Sequence, residues 1–141
     1  MRSRRQPFTP GIVWSILAAY IGLIFYLSSR PNPDLLSDVR FSDKLLHAGE
    51  YGVLGFLSQR AAHLSWPGAG RRATVRRIAL VFLCGAVLAG LDELLQSRVP
   101  TRTACVSDLA ADWVGLGIGL ALNVTAFRSQ GLRDAARGGS R

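Results

Sequence analysis

His47 and Glu50 stand three residues apart, Asp92 and Gln96 four apart with Glu93 between them, and Asp108 and Asp112 four apart. On helices, these spacings put each pair on one face. A histidine gathered with several carboxylates can exchange a proton with a substrate, share one within the cluster, or ligate a divalent cation. His47, Glu50, Asp92 and Glu93 are therefore the candidate catalytic groups. Gln96, Arg102, Asp108 and Asp112 are the candidate substrate-binding groups. Neither CxxC nor HExxH occurs, so no residue is assigned as a metal ligand and the cofactor is left open. Taken singly, each polar residue is as well explained as hydrogen-bonding glue between helices. Glue does not require so many carboxylates, and this favours a site.

The segments that carry these residues are apolar blocks in a charged chain. The 141 residues are 49% hydrophobic and carry a formal net charge of +8, with mean hydropathy +0.23 and pI near 11.0. That length suits one compact unit. The first block, Gly11 to Ser29, contains no charged residue and carries Trp14, Tyr20 and Tyr26 as amphipathic anchors. As a helix it is roughly 28 Å long, close to the hydrocarbon thickness of a bilayer. No A-x-A site follows it, so an uncleaved span is expected rather than a signal peptide. The second block, about Leu45 to Trp66, holds His47, Glu50, Arg60 and His63, and Pro67-Gly68-Ala69-Gly70 stops it. The third runs from Ile78 to Leu95 and the fourth from about Val106 to Phe127. Ser107 is the expected cap of the fourth. Cys84 falls within an apolar block and reads as buried filler, at a different depth from Cys105, so no disulfide is expected.

The predicted class is all-α: an integral membrane four-helix bundle with both termini inside. Residues 1–10 form a basic cytoplasmic segment, 11–127 the four-span domain and 128–141 a disordered basic tail. Orientation follows from Lys and Arg. Twelve of the 17 basic residues, including Arg2, Arg4, Arg5, Arg71, Arg72, Arg76 and Arg77, fall on the expected cytoplasmic side. Arg30, Arg40, Lys44, Arg98 and Arg102 fall outside. This layout explains the high pI without nucleic acid, because no aromatic-interleaved basic stripe accompanies the charge. Contact with anionic inner-leaflet lipid suffices for the basic loops. All three acidic pairs then lie at the outer ends of their spans. Gly115 and Gly119 form a G-x-x-x-G for close helix packing, and Gly49, Gly52 and Gly55 offer a matching face.

Several of these residues carry a family resemblance. Asp43-Lys44-Leu45-Leu46-His47, Glu50-Tyr51 with Leu54-Gly55-Phe56, Asp92-Glu93 with Gln96, Pro100 with Arg102, and Asp108 with Gly115 and Gly119 together resemble the VanZ-like family of small bacterial membrane proteins. The likeness covers about Phe41 to Leu122. Asp112 stands where the family commonly has Asn, and Thr101 where Gly is usual. The resemblance implies a multi-pass protein of the bacterial cytoplasmic membrane, with a link to teicoplanin resistance through the family's namesake. Two functions are carried forward. One is a membrane-embedded enzyme acting on a lipid-linked or envelope substrate from outside. The other is a non-catalytic accessory protein that binds a lipid, a glycopeptide or a partner and alters envelope access. Membrane lipids and a lipid-linked precursor or glycopeptide are the expected partners; oligomeric state is left open.

Overall fold

The computed structural model describes residues 9–31, 40–68, 70–100, 102 and 105–138, with side chains except at 40–42 and 128–138. The basic segment before Thr9 and the residues 32–39 between the first two blocks lie outside the described residues. Four helices follow in order: α1 Pro10–Ser28, α2 Arg40–Ser65, α3 Arg71–Gln96 and α4 Val106–Gly138. No strand occurs among the described residues. The all-α four-helix class is therefore what the chain adopts. Pro10 opens α1, where a missing N–H costs nothing, after Thr9 at the cap position. Gly70, at φ 93° and ψ 167°, takes an extended positive-φ conformation open to glycine, just ahead of α3.

The boundaries differ from the hydropathy blocks in four places. Helix α2 starts ahead of Leu45. The expected basic loop around Arg71, Arg72, Arg76 and Arg77 is instead the start of α3, since Arg and Ala are good helix formers once Gly70 has made the turn. The α4 backbone stays helical to Gly138, where a disordered tail from Arg128 was expected. Ser107 is not the α4 cap: it sits inside the first turn, and the Cys105 carbonyl accepts the Asp108 and Leu109 amides instead.

Polarity runs inside out. On α3 the buried stripe is Arg77, Val81, Gly85, Ala89, Asp92 and Gln96, while Leu80, Leu83, Val87, Leu91 and Leu94 are exposed. On α4 Val114, Ile118 and Leu122 face outward and Asp108, Asp112 and Asn123 inward. A water-soluble bundle would reverse this, because exposed apolar surface on that scale is unfavourable in water. In hydrocarbon it is the stable arrangement. Three helices are long and apolar enough to cross a membrane: Pro10–Ser28, Arg71–Gln96 and Val106–Phe127. Helix α2 is not among them. Its 26 residues are long enough, but Asp43, Lys44, His47, Glu50, Arg60 and His63 make it too polar by composition. Packing explains how it tolerates this, since α2 touches all three other helices and buries His47, Tyr51, Leu54, Gln59, Ala61 and Ala62. Cys84, by contrast, is on the outer surface of α3 and unpaired, which corrects its reading as buried filler.

The closest contact is between α2 and α4. A Cβ on Gly115 would strike the Ala48 backbone, one on Gly119 the Gly52 carbonyl, and one on Gly55 the Leu116 carbonyl. The expected packing role of Gly115 and Gly119 is met by Ala48, Gly52 and Gly55, whereas Gly49 faces open space. The Asn123 amide donates to the Phe56 carbonyl across the same seam at 3.0 Å. Gly115→Ala and Gly119→Ala are expected to destabilise the bundle by about 1–3 kcal/mol each through overpacking. Gly117→Ala, where an added Cβ meets nothing within 4 Å, should be neutral or slightly stabilising. Unfolding in mixed micelles reads the difference.

Candidate functional site

An up-and-down bundle brings the C-terminal ends of α1 and α3 beside the N-terminal ends of α2 and α4. Every acidic pair picked out from the sequence is on one of these ends. The two helix N-termini also favour negative charge there. At the centre, His47 Nδ1 and Asp112 Oδ1 lie 3.0 Å apart, with both side chains buried (7% and 1% exposed). The contact is seated by the α2–α4 seam, since Gly115 follows Asp112 by three residues and rests on Ala48, next to His47.

Around this pair sit three further groups. Gln96 Nε2 donates to Asp92 Oδ2 at 3.0 Å and to Ser28 Oγ at 3.3 Å, linking α3 to the last residue of α1. Lys44 Nζ donates to Asp108 Oδ1 and to Ser107 Oγ, both at 2.7 Å. The Glu93 Oε1 carboxylate oxygen accepts the backbone N–H of Cys105, tying the end of α3 to the start of α4. A cavity of roughly 60 Å³ opens among these groups. Asp43, His47, Glu50, Gln96 and Arg102 line it, with Ser28 and two leucines.

The sequence-derived candidates therefore divide. His47, Glu50, Gln96 and Arg102 meet at the cavity. Asp112 stands behind His47 and Asp92 behind Gln96, each orienting the residue in front. Glu93 and Asp108 hold the α3–α4 connection and the α2–α4 contact rather than the cavity wall. Arg102 also reaches back to the Leu27 carbonyl at 3.5 Å, which fixes its loop to α1. Three residues were missed. Asp43 is one turn before His47 on the same face, a spacing that could have revealed it. Tyr51 is one turn after His47 and is fully buried, with no hydrogen-bond partner for its hydroxyl. It lies within electrostatic reach of Asp92, Asp112 and Glu50. Ser28 had no signal, because a serine ending an apolar helix is unremarkable in sequence.

Asp43, His47 and Asp108 offer ligand atoms within 4.8 Å of one another, near enough to converge on one cation. Such an ion would compete with the Lys44 ammonium for Asp108 and with Asp112 for His47. The arrangement as it stands neutralises Asp108 with Lys44 and leaves the buried oxygens Asp92 Oδ1 and Asp112 Oδ2 without partners. Buried carboxylate oxygens without partners are costly, and a polar group entering the cavity region would relieve that cost.

At the rim of the site, Ser107 Oγ lies 2.9 Å from Cys105 Sγ. Hydrogen bonding from Ser107 pulls the exposed Cys105 thiol below its ordinary pKa. Because the thiolate is the reactive form, maleimide should modify Cys105 ahead of Cys84, whose surroundings on α3 are apolar. Its rate should rise with pH, with a midpoint below that of a free thiol. Ser107→Ala should move that midpoint up and slow labelling at neutral pH; an unchanged pH profile would contradict the assignment.

The VanZ/LLP1 family model matches residues 11–127. No curated protein and no solved structure matches the chain. The matched stretch takes in α1 to α3 and α4 as far as Phe127, with every residue of the cavity and its supports. The chain belongs to the VanZ/LLP1 family.

Proposed function

We propose that this VanZ-like membrane protein presents its His–carboxylate cavity on the outer side of the bacterial cytoplasmic membrane, where it acts on a small polar group of a lipid-linked or cell-envelope substrate. The observation that carries this reading is His47, oriented by buried Asp112 and lining a cavity shared with Glu50, Gln96 and Arg102. Four spans and inward-facing termini are supported by two arguments: the other three helices pack on α2, and twelve of the 17 basic residues fall, by sequence, toward the opposite end. A link to glycopeptide resistance, teicoplanin included, would then run through an altered envelope component.

The chemistry follows from the hydrogen bonds. Asp112 holds the His47 ring through Nδ1, which leaves Nε2 as the nitrogen that can exchange a proton with water or a substrate hydroxyl. Glu50 is the second proton-handling group. Arg102 offers a planar fork of donors to a carboxylate or phosphate. Gln96, fixed by Asp92 and Ser28, holds the wall.

Size constrains the substrate. Sites that enclose whole small molecules occupy about 300–1,000 Å³, whereas roughly 60 Å³ holds about two water molecules. One functional group enters; a whole glycopeptide does not. The same observation favours a second reading, in which the chain is a non-catalytic accessory protein and the cavity rim is a docking surface for an envelope component.

Complementation of a deletion strain, read with a panel of envelope antibiotics, distinguishes the two. His47→Gln, Glu50→Gln and Arg102→Gln should insert normally and lose at least 90% of the complementing activity, about a tenfold effect (about 1.4 kcal/mol). Tyr51→Phe removes a hydroxyl that has no partner, so stability should hold or rise while activity falls. Full complementation by all of these variants would remove the enzyme reading and leave the accessory one. For orientation, a membrane-impermeant maleimide should label Cys105 in intact cells; labelling only after lysis would reverse the topology.

A further inference from the structure

The opposite end of the bundle holds a second polar cavity that the outer site does not use. Its volume is roughly 150 Å³, and Gln59, His63, Thr74, Arg77, Asn123 and Phe127 line it. Arg77 is 6% exposed and Gln59 2%. Arg77 Nη1 donates to the Trp66 carbonyl at 2.7 Å and the Gly68 carbonyl at 3.2 Å. Its Nη2 reaches Thr74 Oγ1 at 3.5 Å. These bonds tie down the chain leaving α2, and that alone would be a structural role. They do not neutralise the charge. Among the described residues Arg77 has no carboxylate partner, since both ion pairs there lie at the other end. Its Nε and the Gln59 Oε1 are buried without partners. His63 is within electrostatic reach of both Arg77 and Arg60, so the cavity is positive and contains no acid among its lining residues.

A buried guanidinium without a counter-charge is costly, and an anion in the cavity removes the cost. We propose that this cavity binds the phosphate group of an anionic membrane lipid. Arg77 Nε and His63 supply charged or polar donors, and the Gln59 amide, whose oxygen and nitrogen exchange places on rotation, turns its NH2 inward. The volume suits one phosphate group with bound water. A lipid source fits better than a free ion, because Arg77 also borders a groove walled by Trp66, Pro67, Ala73 and Leu80. This apolar surface can follow a glycerol backbone and the first carbons of an acyl chain. Between-helix basic pockets of this kind are where anionic head groups dock. The inference does not depend on the outer site and survives its failure.

The test uses the full chain in neutral detergent micelles, with phosphatidylglycerol, phosphatidylcholine or inorganic phosphate added at equal concentration and the melting temperature recorded. Phosphatidylglycerol should raise it well above phosphatidylcholine, and inorganic phosphate should not. Gln59→Leu and His63→Leu leave the Arg77 bonds to Trp66 and Gly68 in place and should each weaken the apparent affinity about tenfold. Arg71→Gln combined with Arg72→Gln, both exposed on α3, should leave it unchanged. The proposal is overturned if phosphatidylglycerol gives no more protection than phosphatidylcholine. It is also overturned if protection survives in Gln59→Leu and His63→Leu but vanishes in the Arg71/Arg72 variant, or if inorganic phosphate protects equally.

Discussion

The contact between α2 and α4 sets the rest of the structure. Glycines at 55, 115 and 119, facing the small residues Ala48 and Gly52 and the Leu116 backbone, let two backbones approach where an added Cβ would collide. Without water to drive apolar surfaces together, helices in a membrane are held by such close packing and by hydrogen bonds across it. The seam has a polar clasp at each end. His47 meets Asp112 at one end, and Asn123 meets the Phe56 carbonyl at the other. Separating the helices by the width of a methyl group would open the His47–Asp112 contact, so packing and chemistry are coupled through the same few residues.

This coupling explains why the most polar helix lies at the centre. Helix α2 carries charges that lipid would not accept, and α1, α3 and α4 all pack against it, leaving Leu45, Leu46 and Val53 as its exposed face. The outward surface of those three is rich in leucine, isoleucine and valine, with Trp14, Tyr26, Phe82 and Trp113 among them. Several of the polar groups inside the bundle are then answered by other protein groups: Asp108 by Lys44, Gln96 by Asp92 and Ser28, Arg77 in part by two carbonyls. The carboxylate oxygens and the Tyr51 hydroxyl that are not answered sit beside the His47 cavity or directly behind it, while Gln59 Oε1 and Arg77 Nε are unanswered at the other end. Unsatisfied groups of this kind are expensive in a membrane, and the gathering of every unanswered carboxylate at one end is the physical reason for reading that end as a site for proton chemistry.

Much of this was legible in the chain. The four helices follow from apolar blocks of spanning length, and the carboxylate end follows from the i,i+3 and i,i+4 spacing of His47, Glu50, Asp92, Gln96, Asp108 and Asp112. The glycine seam follows from Gly115 and Gly119. Hydropathy failed where helix continues past the apolar core: Arg71 to Arg77 are polar and yet helical, because backbone hydrogen bonding does not stop at the hydrocarbon boundary. It also missed the inward turn of Arg77, since a basic residue in a basic stretch looks solvated until its carbonyl partners are known. The division of labour within the acidic set was not legible either. That Glu93 secures the Cys105 amide and Asp108 holds Lys44, while Glu50 reaches the cavity, depends on rotations about helix axes that spacing alone does not fix.

The seating of His47 on Asp112 is the claim on which the account stands, and a double-mutant cycle measures it directly. His47→Gln, Asp112→Asn and the double variant are compared with the parent chain by unfolding free energy in mixed micelles. The account predicts a coupling of about 0.5–3 kcal/mol between the two positions, the second substitution costing much less once the first is present. Strict additivity of the two single effects would show that the side chains do not meet in the bilayer, and would contradict it.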